Sequence, residues 1–196
     1  ITCVYVASPL KYTYTASEIQ PDMLNADITQ TTDSPSWGGL YLQYFEKFDQ
    51  VQQQKGILSV TKKLFIEKIG SDGKQELLPL GKEKLKTGDK VITRLTLSLK
   101  QDMDFLYLKD FRAACFEPIG QLSGNQWKFG TVYYEESKDA VTNFFFNSLA
   151  KGTYVLEYPV WVNQAGTYQD GIATFQSMYA PEYTAYSEAG KITVTK

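Results

Sequence analysis

The chain has 196 residues, 43% hydrophobic and 21% charged, a composition that belongs to a folded globular protein and is long enough for one large β domain or one domain plus part of another. With 20 Lys and Arg against 22 Asp and Glu the net charge is −2, so no basic field exists to hold a nucleic-acid backbone, and no run of about 18 apolar residues occurs that would span a membrane. Histidine is absent, which removes Ser-His-Asp and Cys-His catalysis, histidine zinc sites and the commonest general base in one step.

The chain begins at Ile1, and Ile1 to Val6 lacks the basic start and long apolar stretch of a signal peptide, so the sequence is expected to be a piece of a longer protein. Ile1 to Ala7 alternates loosely and is a candidate strand. Pro9, Pro21 and the polar stretch from Thr29 to Ser36 interrupt the pattern, before Trp37-Gly38-Gly39 leads into a strand over Leu40 to Phe45. Gln50 to Gln54 has the polarity of a connector. Residues 1–55 are therefore expected to be the end of a preceding β domain or a linker, and residues 56–196 a single domain.

From Gly56 the strand signals become regular. Ile57 to Ile69 is a long strand, Ser71-Asp72-Gly73-Lys74 a hairpin turn suited to positive φ, and Gln75 to Leu80 the return. After a turn at Lys86 to Asp89, the segment from Val91 to Lys100 alternates, with Val91, Thr93, Leu95, Leu97 and Leu99 on one face and Arg94, Thr96, Ser98 and Lys100 on the other. Further strands are expected over Phe105 to Leu108, Phe111 to Phe116, Val141 to Phe146, Gly152 to Val162 (with Pro159 marking an edge or bulge), Ile172 to Tyr179 and Gly190 to Thr195. Gly120 to Gly130 is expected to be loop, Glu135 to Ala140 a short helical turn, and Asn163 to Gly171 a turn. Many short strands separated by turns, in a chain with 14 Tyr, imply an all-β, antiparallel β-sandwich.

No catalytic arrangement emerges, and no metal site or cofactor is assigned. Glu135 and Glu136 are adjacent in sequence and would face opposite sides of a strand. Asp102 and Asp104 share a face but supply too few oxygens for calcium and are expected in a solvated turn. Lys82-Glu83-Lys84 is a solvated charge cluster. Cys3 and Cys115 are compatible either with one disulfide or with two separate buried thiols. An internal thioester requires a Cys and, three residues on, a Gln; in Cys115-Phe116-Glu117-Pro118 that place is held by proline, which has no side-chain amide to displace, and the flanking Ala114 and Phe116 suit an inert thiol. Trp37, Trp127, Trp161 and the tyrosines raise a carbohydrate-binding or adhesion module as the alternative function, against the expectation that aromatics in a sandwich fill the space between sheets.

Four segments carry a resemblance: Trp37 to Phe45 (WGGLYLQYF), Asp110 to Pro118 (DFRAACFEP), Tyr133 to Phe146 (YYEESKDAVTNFFF) and Gly171 to Tyr179 (GIATFQSMY). Together they resemble the C-terminal macroglobulin-like domain of bacterial alpha-2-macroglobulins, with part of the stretch that precedes it. The resemblance implies an immunoglobulin-like sandwich without catalysis of its own, in a broad-spectrum endopeptidase inhibitor. Such an inhibitor is exported to the periplasm or cell surface, is often lipid-anchored, and traps proteases through a thioester in a neighbouring domain. The implied partners are the thioester domain of the same chain and, through the parent, target proteases. In members that have the thioester, a Met-Tyr pair shields it, and the matching pair here is Met178-Tyr179. The alternative, that this pair ends a strand and packs within the domain, stays open, because some members lack the thioester.

Overall fold

A computed structural model describes residues 11–25, 27, 29–30, 33, 35, 37, 43, 45–71, 73–81, 84–120, 122–128 and 130–196. The expected strand over Ile1 to Ala7, Cys3, most of Leu40 to Phe45, Asp72 of the hairpin turn and Lys82-Glu83 lie outside the described residues. The chain forms two compact units, Ile1–Tyr44 and Phe45–Lys196. In the first, a 3-10 helix covers Pro21–Leu24, and Glu18 accepts from both the backbone N–H and the hydroxyl of Thr15, each at 2.7 Å.

The second unit takes in residues that read as a connector. A 3-10 helix covers Phe48–Gln50, Gln53 Nε2 donates to Val60 O at 2.7 Å, and Gln54 N donates to Tyr186 O at 3.1 Å. The strands run in chain order as β1 Leu58–Ile69, β2 Gln75–Pro79, β3 Leu85–Lys86, β4 Lys90–Leu99, β5 Met103–Phe111, β6 Phe116–Pro118 and β7 Gly124–Lys128. Then come β8 Thr131–Ser137, β9 Val141–Leu149, β10 Gly152–Val162, β11 Gly166–Asp170, β12 Ala173–Ser177, β13 Thr184–Tyr186 and β14 Gly190–Thr195. They build a five-stranded sheet in the order β2-β1-β4-β10-β6, a six-stranded sheet in the order β13-β12-β5-β9-β8-β7, and a three-stranded sheet β11-β14-β3. Among the described residues all pairs are antiparallel except β14 with β3.

The alternation on β4 is what fixes the five-stranded sheet. Val91, Leu95, Leu97 and Leu99 are buried while Arg94, Thr96 and Ser98 face partly outward, so a slip of one residue would put four apolar side chains in water. The strand is held from both sides, Leu58 and Gly152 both pairing with Leu99 at one end, and Glu67 and Trp161 with Lys90 at the other. Leu106, Leu108, Phe144, Phe146 and Phe175 of the six-stranded sheet meet Val60, Ile66, Leu95 and Leu156 of the five-stranded one in a single core. This is the antiparallel sandwich the sequence implies.

Local expectations fail where tertiary pairing overrides residue type. The expected break between Phe105 to Leu108 and Phe111 to Phe116 falls elsewhere: β5 runs unbroken through Lys109-Asp110 to Phe111, and residues 112–115 form a turn before β6 begins at Phe116. The expected loop over Gly120 to Gly130 contains β7, an edge strand whose exposed polar residues carry no apolar signal. The expected helical turn at Glu135 to Ala140 is instead the end of β8 and a tight turn closed by Lys138 N donating to Val141 O at 2.8 Å. The expected turn from Asn163 to Gly171 holds β11, and β13 is a further short strand. Pro159 stands where β6 begins to cover the outer border of β10, at Val160–Val162, a position that tolerates a missing N–H.

Candidate functional site

β12 delivers Met178 and Tyr179. Its alternation buries Ala173, Phe175 and Ser177 against the core, and its register with β5 runs from Ala173 opposite Asp110 to Ser177 opposite Leu106. One residue on, Met178 N donates to Phe105 O at 2.9 Å, the last tie to β5. The chain then turns back through Tyr183, whose N–H reaches Ala180 O at 2.9 Å and whose carbonyl accepts from Ser177 N at 3.0 Å. Met178 and Tyr179 thus ride on a tied loop with their side chains outward, 50% and 79% exposed. Neither belongs to the core of the unit. Tyr179 touches the ring of Phe105 edge-on, with centroids 5.2 Å apart and planes at 90°, and Phe105 is itself half exposed.

The surface behind this cluster is aromatic as well. On the outward side of the six-stranded sheet Tyr107 stacks on Phe145 at 5.0 Å, and Tyr134 leans on the same Phe145 from β8. The Tyr107 hydroxyl donates to Asn143 Oδ1 at 2.9 Å, and Asn143 in turn donates to Glu136. Tyr134 is exposed and Tyr107 and Phe145 are half-buried, so this side of the sheet is aromatic, with a few satisfied polar groups beside it.

Deep in the same unit lies the opposite kind of anomaly. Lys62 sits at a core-facing position of β1, between Val60 and Leu64, with its side chain only 3% exposed. Its ammonium lies 3.0 Å from Asp110 Oδ1 on β5 and 2.8 Å from Asp170 Oδ1 on β11, so the cluster links all three sheets. It also donates to the carbonyls of Phe111 at 2.7 Å and Gly171 at 2.8 Å. The two carboxylate contacts are ion pairs rather than well-angled hydrogen bonds. The Tyr158 hydroxyl donates to the other oxygen of Asp110, and nearby Arg112 donates to Thr142 and to the carbonyls of Lys138 and Asp139. Burial works against the Lys62 ammonium, but the two carboxylates outweigh it and hold its pKa above the ordinary value. Burial raises Asp170, against the pull of Lys62. The Lys62 ammonium is thus shared by two carboxylates, one negative charge in excess, with Arg112 nearby, and every partner comes from the chain itself, which suits a structural tie rather than a site for a substrate.

Other sequence candidates scatter. Asp102 Oδ1 accepts from Lys151 N at 2.7 Å and so ties the β5 entrance to the β9–β10 turn. Among the described residues no group of three or more His, Cys, Asp or Glu gathers as metal ligands. Cys115 is a fully buried thiol that burial pushes up to about 11. Trp127 and Trp161 are both exposed but lie on different sheets, on β7 and β10, and do not form one stacking platform; Trp37, also exposed, belongs to the first unit. The tryptophans thus depart from the expectation that aromatics fill the sandwich, whereas Phe144, Phe146 and Phe175 fulfil it. Lys62 and Phe105 were not candidates from sequence. A lysine at an inward position of an alternating strand was the available signal for the first; nothing in the sequence marks the second.

Comparison with known proteins identifies relatives of this fold. A Salmonella alpha-2-macroglobulin reacted with methylamine superposes with a TM-score of 0.57 at 20% identity, over 74% of this chain and 10% of that one. The native Escherichia coli alpha-2-macroglobulin gives 0.56 at 18%, over 80% of this chain and 10% of that one. An E. coli structure spanning domain MG7 to the C-terminus gives 0.53 at 17%, over 74% and 24%. The chain therefore covers from a tenth to a quarter of the length of these solved relatives, and at such identities the likeness is one of fold. No curated protein sequence matches. Residues 58–182, which include Phe105, Met178 and Tyr179, match the family model described as the bacterial alpha-2-macroglobulin MG10 domain, and the chain belongs to that family.

Proposed function

We propose that this chain is a non-catalytic, C-terminal module of a bacterial alpha-2-macroglobulin-type broad-spectrum endopeptidase inhibitor, and that it packs on the thioester-bearing domain of the same parent. Met178 and Tyr179 cover the thioester. One observation carries this: the Met-Tyr pair of the matched segment stands outside its own core, on a loop tied to β5, with most of the tyrosine ring free. A thioester hydrolyses when wet, and an adaptable thioether beside a flat ring with one polar tip suits an irregular apolar seal. Two further features support it. Methylamine, with which the Salmonella relative was reacted, is an amine nucleophile of the kind that opens thioesters, and another relative is a trypsin-activated E. coli protein. The absence of histidine and a buried charge cluster whose members bind one another fit a domain that binds rather than transforms. The parent acts outside the cytoplasm, in the periplasm or at the cell surface, held by a lipid anchor.

The test is made on the full-length parent. Thiol is titrated before and after methylamine, and the spontaneous release of thiol is then followed in the wild type and in Tyr179→Ala. Methylamine is expected to release a thiol, and the variant to lose its thioester faster without added amine. An unchanged rate of loss in Tyr179→Ala would sink the shielding role.

A further inference from the structure

Among the described residues other than glycine, Phe105 alone has a positive φ, at 53°. For a bulky L-residue this left-handed conformation is strained, and strain of that kind persists only where the surroundings enforce it. Strand pairing does not demand it. A β-bulge would insert a residue and shift the register, yet Asp104 pairs with Ser148 and Leu106 with Phe146 in the same register on either side of Phe105, whose own place in that ladder is the one left unpaired, and on the other border Ser177 pairs with Leu106. Core packing does not demand it either, since 48% of Phe105 is exposed. The local products of the conformation are at the Met-Tyr loop: the Phe105 carbonyl takes the Met178 N–H at 2.9 Å, and the Phe105 ring stands edge-on to Tyr179 at 5.2 Å.

We infer that Phe105 is a positioning residue for the thioester seal, a strained post that holds the Tyr179 ring in the attitude in which it meets the neighbouring domain. This rests on the shielding role proposed for Met178-Tyr179 and deepens it. Phe105 acts through Tyr179 and through the Met178 backbone, so its removal leaves the cover present but poorly aimed. Among the described residues the ring neighbour of Tyr179 is Phe105, and without it a side chain 79% exposed is free to adopt other rotamers.

The experiment uses the full-length parent and follows spontaneous thiol release in the absence of protease, for wild type, Y179A, F105A, F105G, F105Y and the double variant F105A/Y179A. F105A is expected to leak about two- to tenfold faster than wild type, the worth of one edge-to-face ring contact. The double variant is expected to leak no faster than Y179A alone, because Phe105 has nothing left to aim. F105Y, which keeps the ring, restores the slow rate. F105G relieves the backbone strain, so its unfolding equilibrium constant is expected to be about five- to thirtyfold smaller than that of F105A, yet it leaks as F105A does. That combination separates a lost post from a loosened fold, and F105G still gives an answer if F105A fails to fold. Wild-type leakage in both F105A and F105G beside a leaky Y179A overturns the role of Phe105 and leaves the shield standing. Additive effects in the double variant, or F105G less stable than F105A, also overturn it. An unaffected Y179A, or a parent that releases no thiol even with methylamine, overturns the shield and the post together.

Discussion

Two places in the 45–196 unit break the rule of apolar inside and polar outside, in opposite directions. Lys62, Asp110 and Asp170 put charge where the alternation of β1 and β5 calls for apolar side chains; Phe105, Met178 and Tyr179 put apolar surface where it calls for polar ones. The difference lies in whether the chain compensates itself. The buried ammonium has two carboxylates and two carbonyls from three sheets, so the cost of burying it is met internally and its role is to join the sheets. The exposed cluster has its own ring contact and otherwise faces outward, which is what the proposed packing on a neighbouring domain would use.

Breaking the buried side should give the largest effect. Lys62→Met leaves two buried carboxylates facing each other without a cation, and urea denaturation should show a loss of about 3–5 kcal/mol. A loss under about 1 kcal/mol would mean that water or a proton replaces the lysine at little cost. Next is Gly171→Ala. A Cβ there would lie 2.2 Å from the Phe111 carbonyl oxygen, so the two backbones that both feed Lys62 must part, at about 1–3 kcal/mol by the same measurement.

Alkali should attack the same region. Burial raises Cys115 from 9.0 to about 11 and Tyr133 from 10.0 to about 12, and Tyr158, buried beside Asp110, lies well above 10.0. Each of these acids keeps its proton longer when folded than when unfolded, so stability falls as pH rises through that window. Lys62 adds to the fall: its contribution is intact below 10.5, the ordinary value, and is lost as pH climbs through the higher folded value. Stability measured from pH 7 upward should therefore decline from about pH 9, and a flat profile to about pH 11 would contradict the burial of these groups. The exposed side predicts the smallest effect on stability. Tyr179→Ala in this chain should cost no more than about 1.5 kcal/mol, the worth of its ring contact with Phe105, while changing thiol release in the parent. A large destabilisation would make Tyr179 a packing residue.

The sandwich was legible because its central strands obey period two: β4 buries Val91, Leu95, Leu97 and Leu99 by alternation alone, and the hairpin at Gly73 carries its own turn chemistry at φ 77°. The candidate site rests on a different kind of reading. Met178-Tyr179 came from the resemblance of the Gly171 to Tyr179 segment, not from any local physical signal. The edge strand β7 was invisible because a strand bordered on one side needs no apolar face, and the end of β8 was misjudged because Glu, Lys and Ala favour a helix until a partner strand claims their N–H groups.

By itself, then, the sequence determined the class of fold, the strong central strands, the absence of histidine chemistry and the inability of Cys115-Phe116-Glu117-Pro118 to form a thioester, since each is set by residue type or by a period along the chain. Only the tertiary structure decided that Lys62 meets Asp110 and Asp170, and that a left-handed Phe105 stands against Tyr179. These residues lie far apart along the chain: packing of three separate sheets brings Lys62 to Asp110 and Asp170, and the β5–β12 pairing carries the loop after Ser177 to Phe105, both being properties of the assembled sheets that no local pattern encodes.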